Sequence, residues 1–210
     1  MIPDPINKLT ELFSNWPGIG PRQAKRFVIH LLRKPQTEIS ELTTLISELK
    51  KQSEQCLACR RWFIKNESEN KTCSICLDNN RNQKILMIVE KDQDIDNILQ
   101  ADIYNGLFFV LGGLLPVANQ RKNNFVTNRL QELKLKLNQN PVTEIIIALS
   151  LNPDSEHTAR AIKDIIANLP SNKKPTLSFP GRGLSTGLEL EYSDPETLRY
   201  AISRREPDKN

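Results

Sequence analysis

Apolar residues recur at helical spacing in the first quarter of the chain and form short continuous runs farther along it. The helical spacing predicts three helices, at about residues 4–15, 21–33 and 38–52. From residue 84 the apolar runs alternate with amphipathic segments, which is typical of buried strands separated by helices. The predicted strands are 85–89, 107–111, 142–149 and 176–179, and the predicted helices of this part are 94–101, 125–138, 155–168 and 195–204.

The alternation of strands and helices favours a mainly parallel sheet, because parallel strands are joined by crossover connections that cover the sheet with helices. Four cysteines lie between the helical first quarter and the sheet, and a helix with a charged tail follows the sheet. The sequence therefore predicts a multi-domain α/β protein with an N-terminal helical region, a small cysteine-rich module, a sheet domain and a C-terminal helical tail.

The chain of 210 residues carries 29 Lys and Arg against 25 Asp and Glu, a formal net charge of +4. A total of this size is ordinary and identifies no polyanionic partner. The distribution tells more, because the window between Glu11 and Glu38 lacks acidic residues and contains Arg22, Lys25, Arg26, Arg33 and Lys34. No apolar run approaches the ~20 residues of a membrane span, and the N-terminal pattern does not indicate a signal peptide. We therefore expect a cytosolic globular protein.

The cysteines form two C-x2-C pairs, Cys56 with Cys59 and Cys73 with Cys76, separated by thirteen residues. Two such turns facing each other place four thiolates in a tetrahedral site, which is typical of structural zinc. Two disulfides or four idle thiols are the alternatives, but disulfides need an oxidising compartment. Because four thiolates close the shell, we expect one zinc ion per chain that contributes folding energy and not catalysis.

The turn Pro17-Gly18-Ile19-Gly20-Pro21 joins the first two predicted helices and indicates a helix–hairpin–helix. Glycines let the backbone approach an anion, and the start of the second helix offers amides and a positive dipole end to a phosphate. Three basic residues follow within two helical turns and can neutralise phosphates without reading base sequence. The alternative is an ordinary turn with a solvated basic face. His30, between two apolar residues, is predicted to be partly buried. The residues expected to contact DNA are Gly18, Gly20, Arg22, Lys25 and Arg26.

Carboxylates follow two of the predicted strands. Glu90 ends the first strand, and Asp154 and Glu156 follow the third. Because the carboxyl ends of neighbouring parallel strands meet at one edge of a sheet, we expect an acidic pocket there. Such a pocket can hold Mg²⁺ for phosphoryl transfer. Carboxylates also favour helix N-termini through capping and the helix dipole, and this is the interpretation we prefer for residues 92–96.

The order of these motifs is similar to that of the RecR family of bacterial recombination mediators, and the resemblance covers essentially the whole chain. It is carried by the glycine hairpin, the two cysteine pairs, the strand that ends in Glu90, and the segments Val110–Leu115, Asn152-Pro153 and Arg182–Tyr192. The resemblance implies a helix–hairpin–helix at 1–54, a four-cysteine zinc finger at 55–78, a Toprim-type, Rossmann-like domain at 83–179, and a C-terminal loop, helix and tail at 180–210.

The resemblance implies a non-catalytic recombination mediator that binds duplex and gapped or single-stranded DNA without sequence preference. Family members form dimers and tetrameric rings and act with RecO and RecF to load the RecA recombinase. Glu90, Asp154 and Glu156 would then form an acidic face that meets partner proteins. The family also implies a cytoplasmic, nucleoid-associated location and no membrane contact. One alternative function is a Mg²⁺-dependent Toprim nuclease or primase that uses the same carboxylates. Another is a zinc-dependent interaction module with no role in DNA binding.

The chain departs from the family pattern in three places. The stretch Asn152–Ala159 is shorter than the corresponding segment of the family, so the assignment of Glu156 rests on a changed spacing. Thirteen residues between the cysteine pairs exceed the gap expected for the family and add a loop at 62–71. Catalytic Toprim enzymes use a Glu together with an Asp-x-Asp pair, and Asn152 stands where the first Asp would be. This Asn removes one metal ligand, which argues against strand cleavage or priming.

Overall fold

The structure is a computed structural model, and it describes residues 4–65, 71–117, 124–140, 142–181, 184, 187 and 189–204. The chain divides into two compact units, Met1–Ser53 and Glu54–Asn210. The second unit contains both the cysteine-rich module and the sheet. Its division into a finger at 55–78, a Toprim domain at 83–179 and a C-terminal segment at 180–210 stays a prediction.

The first unit consists of three helices, α1 (Pro5–Ser14), α2 (Pro21–Leu32) and α3 (Gln36–Gln52), close to the predicted bounds. The side chain of Asp4 accepts a hydrogen bond from the backbone N–H of Ile6 at 2.9 Å and caps α1. Helix α2 packs against α1 and buries Ala24 and Val28. These small side chains allow the two helices of the hairpin to approach closely.

Helix α3 forms as its apolar pattern predicts, but its apolar stripe is open to solvent. The exposed fraction ranges from 41% to 62% for Leu42, Leu45, Ile46 and Leu49. Helical periodicity predicts that a helix has an apolar face, and tertiary structure decides what covers that face. In this unit, the described residues leave it open.

The second unit is built on a four-stranded parallel sheet with the strand order β4-β3-β5-β6, which confirms the predicted sheet. The strands of the described residues are β1 (Ser53–Gln55), β2 (Trp62–Ile64), β3 (Asn82–Val89), β4 (Gly106–Val110), β5 (Glu144–Ala148) and β6 (Thr176–Ser178). Strands β1 and β2 form a separate small sheet. The helices are α4 (Ser74–Leu77), α5 (Asp92–Gln100), α6 (Asn124–Gln139), α7 (Pro153–Ala167) and α8 (Pro195–Ser203). Helix α8 is the predicted C-terminal helix.

The two faces of the parallel sheet have different covers. Alternate side chains of a strand point to opposite faces. One set of strand residues packs against α6 and α7, and includes Leu86, Ile88, Leu107 and Phe109. The other set packs against α5 and the cysteine finger, residues 55–78, and includes Met87, Val89, Phe108 and Val110. Parallel sheets are normally covered on both faces, and the cysteine finger supplies part of one cover.

Gly106 begins β4 where the backbone passes close to β3. A Cβ at this position would lie 2.8 Å from the carbonyl oxygen of Ile85 and would collide with the Tyr104 hydroxyl group. That hydroxyl donates a hydrogen bond to the carbonyl of Leu107 at 2.7 Å and cannot move away without losing it. We expect Gly106→Ala to lower the free energy of unfolding by about 1–3 kcal/mol, because the strand pair must separate to admit the methyl group.

Urea unfolding of the full chain measures this effect. The matched control is Gly181→Ala, since a Cβ at Gly181 would meet no atom within 4 Å. Equal stabilities of the Gly106→Ala and Gly181→Ala proteins would contradict the close approach of β3 and β4 at this point.

Candidate metal centre and nucleic-acid interface

The four cysteines form one compact cluster on the sheet. Their sulfur atoms all lie within 4.8 Å of one another, and the Sγ atoms of Cys59 and Cys73 are 3.6 Å apart. A Zn–S bond of about 2.3 Å gives an S–S separation of roughly 3.8 Å in a tetrahedron, so the donor set fits a zinc finger. Cys56, Cys59 and Cys73 are buried, and Cys76 is half-buried. The predicted ligands are thus brought together as a metal-binding cluster.

Proton sharing among the four thiols separates their pKa values. Hydrogen bonds with Cys59, Cys73 and Cys76 lower the pKa of Cys56, and hydrogen bonds with Cys56 raise the pKa of Cys59 and of Cys76. The pKa of Cys73 falls to about 7, because the bond with Cys56, which raises it, is outweighed by those with Cys59 and Cys76. Thiolates are the metal-binding form, so a cation that binds here displaces the shared protons.

Hydrogen bonds and an ion pair attach the cysteine finger to the sheet unit. The backbone N–H of Val110 donates to the carbonyl oxygen of Cys59 at 2.8 Å. Asp92 of α5 accepts a hydrogen bond from the backbone N–H of Trp62 at 2.7 Å. Asp96, one turn farther along, pairs with Arg61 at 3.1 Å. The finger and the sheet therefore share a core and a polar boundary.

Asp92 and Asp94 lie in the first turn of α5, as predicted, whereas Asp96 lies beyond that turn. Helix α5 begins at Asp92, and the side chain of Asp94 accepts a hydrogen bond from the backbone N–H of Lys91 at 2.8 Å. Asp92 and Asp96 in addition bind the cysteine finger. No local sequence pattern indicates these contacts, because the finger residues involved lie 30 and 35 positions earlier in the chain.

The structure accounts for the two glycines of the hairpin in different ways. Gly18 has a φ of +76°, a left-handed conformation that costs a residue with a Cβ about 1–2 kcal/mol. Gly20 precedes α2 with an ordinary φ of −82°, and a Cβ there would meet no atom within 4 Å. The fold alone therefore explains Gly18, while the absence of a side chain at Gly20 leaves the N-terminus of α2 open to a ligand.

The basic surface of α2 consists of exposed basic side chains on the helix and of Arg33, which follows it. A shallow groove of about 700 Å³ follows it and is lined by residues that include Arg22, Lys25, Arg26, His30 and Arg33. Arg22, Lys25 and Arg26 are exposed and form no ion pair with a described carboxylate. His30 is exposed on this surface, so the prediction that it is partly buried was wrong. The prediction relied on the hydrophobic neighbours Ile29 and Leu31, but adjacent helical residues point in different directions.

Glu90 is connected by hydrogen bonds to the loop between β5 and α7. Its Oε2 atom accepts a hydrogen bond from the Ser150 hydroxyl at 2.9 Å, and its Oε1 atom lies 3.2 Å from the Lys91 ammonium nitrogen. The amide group of Asn152 donates to the same Ser150 oxygen at 3.0 Å. The Asn152 Oδ1 atom accepts a hydrogen bond from the backbone N–H of Ser155 at 2.9 Å, so this residue caps α7. Asn152 therefore acts as a helix cap that orients the loop beside Glu90.

The other two predicted acids face separate partners. The Asp154 Oδ1 atom accepts a hydrogen bond from the backbone N–H of Val117 at 2.8 Å, and Glu156 lies 3.8 Å from Arg160 on the exposed side of α7. Among the described residues, the four cysteines are the one group of three or more metal-ligating side chains close enough to share an ion. The role of Glu90, Asp154 and Glu156 as a partner-binding face stays a prediction.

Two features noted in the sequence lie wholly or partly outside the described residues. Arg182 is one, and residues 66–70 of the extra finger loop are the other. In the described part of the chain, no helix combines the length and the apolar character that crossing a membrane requires.

Two family models match the chain. A model described as RecR, helix-hairpin-helix matches residues 6–50, and a Toprim domain model matches residues 84–173. The first match contains the glycine hairpin and the basic surface of α2. The second contains β4, β5 and most of β3, together with Glu90 and the α7 cap, and it ends before β6.

Curated relatives match over nearly the full length of the chain. A protein of Chloroflexus aurantiacus named Recombination protein RecR is 34% identical over 206 residues, which cover 98% of this chain and 95% of that protein. A protein of the same name from Carboxydothermus hydrogenoformans is 32% identical and covers 96% of both chains. Another from Bifidobacterium adolescentis is 32% identical over 95% of this chain and 94% of its own. With the hairpin, the cysteine cluster and the Toprim sheet in this order, the chain belongs to the RecR family of recombination proteins.

Proposed function

We propose that the chain is a non-catalytic mediator of recombinational DNA repair that binds DNA without sequence preference. The observation that carries the proposal is the exposed basic surface of α2, which begins directly at the glycine hairpin. Arg22, Lys25 and Arg26 there have no described carboxylate to neutralise them. Cations grouped beside free helix amides suit a row of phosphates, and phosphates are common to every DNA sequence.

The hairpin would hold a phosphate through the backbone at the start of α2. Proline at the first helical position preorganises the helix, and Gly20 before it carries no side chain that would block the approach. The adjacent cations then contact neighbouring phosphates. This arrangement supports binding to duplex DNA and to the duplex parts of gapped DNA.

We infer that the ion of the cysteine cluster is Zn²⁺, one per chain. Four sulfur donors at tetrahedral spacing favour zinc over oxygen-preferring cations such as Mg²⁺. The closed donor set assigns the ion a structural role, because no position is left for a substrate.

Assembly and partner contact are the remaining parts of the proposal. The open apolar stripe of α3 supports a homo-oligomer, a dimer or a tetrameric ring that encircles DNA, because such a stripe is normally covered in the functional state. The face with Glu90, Asp154 and Glu156 would bind RecO and RecF, which together with this chain load RecA on gapped or single-stranded DNA. The protein would act in the cytoplasm on the nucleoid.

Salt dependence of DNA binding tests the proposed function. We expect the affinity for duplex and gapped DNA to fall steeply between about 50 and 200 mM salt, with similar values for unrelated sequences, since phosphate contacts release counterions. Fluorescence anisotropy measures the affinity, and solution mass with and without gapped DNA measures the assembly. Binding that does not change with salt or that depends on sequence would contradict phosphate recognition, and a monomer under all conditions would contradict the ring that encircles DNA.

Catalysis is the outcome that separates this proposal from a Toprim nuclease or primase. The capping role of Asn152 and the separate partners of Asp154 and Glu156 support a non-catalytic face. Incubation of the purified chain with DNA and Mg²⁺ is therefore expected to leave the DNA uncut and unprimed. Cleavage or priming that is lost in Glu90→Gln would overturn the non-catalytic assignment.

A further inference from the structure

A partly enclosed cavity of about 880 Å³ lies at the carboxyl ends of β5 and β6, and α7 and α8 also line it. Its size is within the range of small-ligand sites. The carboxyl ends of parallel strands are also where α/β sheets usually bind ligands. The cavity contains none of the cysteines and none of the hairpin residues, so neither the metal centre nor the basic surface of α2 explains it.

The charged residues that line this cavity are mostly basic. Arg160 and Lys163 come from α7, and Arg204 follows the last turn of α8. Glu156 is the acidic residue among the lining residues and lies 3.8 Å from Arg160. All three cations are exposed. An anionic group that enters the cavity therefore meets a net positive lining.

Two aromatic rings lie beside the cations. The Lys163 ammonium nitrogen is 5.0 Å from the centre of the Phe179 ring, and the Arg204 guanidinium carbon is 5.8 Å from the centre of the Tyr200 ring. Phe179, just after β6, is 49% exposed. Aromatic rings and guanidinium planes are the surfaces on which nucleobases stack, and stacking tolerates every base.

We propose that this cavity binds a nucleotide, with the base on Phe179 and Tyr200 and the phosphate among Arg160, Lys163 and Arg204. A nucleotide within a single DNA strand and a free mononucleotide present the same chemistry. The inference rests on the proposed function in taking DNA as the ligand, but it uses residues that the hairpin surface does not contain. The chain would then bind duplex through Arg22, Lys25 and Arg26 and a single strand through the cavity, which are the two parts of a gapped substrate.

Binding of fluorescent oligothymidylate to the full chain tests the proposal. We expect the double substitution Lys163→Gln with Arg204→Gln to weaken strand binding about tenfold and to leave duplex binding unchanged, because two phosphate contacts are lost. Lys84→Gln with Lys134→Gln is the matched control, since it removes the same charge from exposed positions outside the cavity lining.

The stacking part of the proposal has its own substitutions. Phe179→Leu removes an aromatic ring without changing charge and is expected to weaken strand binding by about fivefold or more. Tyr192→Leu is the control, because it removes a ring that is 72% exposed and outside the cavity lining, and it is expected to bind the strand as the unchanged chain does. If the Phe179→Leu protein binds the strand as tightly as the unchanged chain does, the placement of the base is wrong.

Competition separates the sources of the nucleotide. If millimolar dTMP displaces the strand, the cavity is a nucleotide site for which a mononucleotide suffices. If dTMP does not displace the strand but the double variant loses strand binding, the cavity is a site for a nucleotide within a strand. Equal strand affinities of the double variant and its control would overturn the proposal. An Asp- and Glu-rich peptide that binds the unchanged chain but not the double variant, with strand binding unaffected, would assign the cavity to a protein segment and overturn it as well. Failure of the proposed hairpin function would be seen in a separate measurement. Duplex binding would then not change when Arg22, Lys25 and Arg26 are substituted.

Discussion

Cys59→Ser is expected to unfold the cysteine finger and to expose the face of the sheet that the finger covers. A structural zinc ion contributes about 10–16 kcal/mol of apparent folding free energy, which is as large as the whole stability of a typical domain. Cys59 also lies in the same buried cluster as Val89 and Phe108, so the loss of the ion opens the core of the sheet to water. We expect the ion content to fall well below one per chain and the Tm of the second unit to fall steeply.

Metal analysis and thermal unfolding of the purified proteins measure these effects. Leu57→Ser is the matched control, because it introduces the same residue in the same turn at a side chain that is 57% exposed. It should keep the ion and the Tm. A Cys59→Ser protein that keeps one bound ion, or that loses the ion and melts at an unchanged temperature, would contradict the shared core.

Reversing the charge at Arg22, Lys25 and Arg26 is expected to reduce duplex affinity about a hundredfold or more at low salt, for all sequences alike. Three phosphate contacts are lost, so the slope of log affinity against log salt should become shallower by about 3. The helix should remain folded, because glutamate is a good helix former and Arg22→Glu places a carboxylate in the first turn of α2, where it interacts favourably with the helix dipole. Circular dichroism checks the helix, and anisotropy at several salt concentrations checks the slope.

A charge-matched control separates the hairpin surface from the net charge of the molecule. Lys8→Glu with Lys84→Glu and Lys134→Glu makes the same change in total charge at exposed positions outside α2. We expect this control to bind duplex only slightly more weakly than the unchanged chain. If both triple variants lose affinity to the same extent, the basic surface of α2 is not the binding surface.

The helices and strands followed from local pattern, whereas the joining of finger and sheet did not. Periodicity is a property of neighbouring residues, so α2 with its starting proline and β3 with its apolar run were predictable. The bond from the Trp62 N–H to Asp92 joins residues 30 positions apart, and no local pattern contains it. The same holds for Arg129 of α6, which is buried and donates a hydrogen bond to Gln55 at 3.0 Å across 74 positions.

The metal cluster was the most predictable site, and the acidic one the least. The C-x2-C spacing alone places Cys56 and Cys59 in one turn, and a single four-coordinate metal site accommodates both cysteine pairs. The partner of each acidic residue depends on the direction of its side chain, and helix capping helps to determine that direction. Asp154 turns toward the Val117 N–H, and Glu156 points along the exposed side of α7. The positions of these acids after two neighbouring strands were predictable, but the partner of each carboxylate was not.

The bond from the Val110 N–H to the Cys59 carbonyl lies on the side of β4 that does not pair with β3. An edge strand with free backbone groups is a template on which another chain can add a strand. The cysteine finger occupies that template at Val110, so an ion that holds the finger together would also protect the molecule from edge-to-edge aggregation. Chelation should therefore produce a protein that aggregates through β4 before it is fully unfolded.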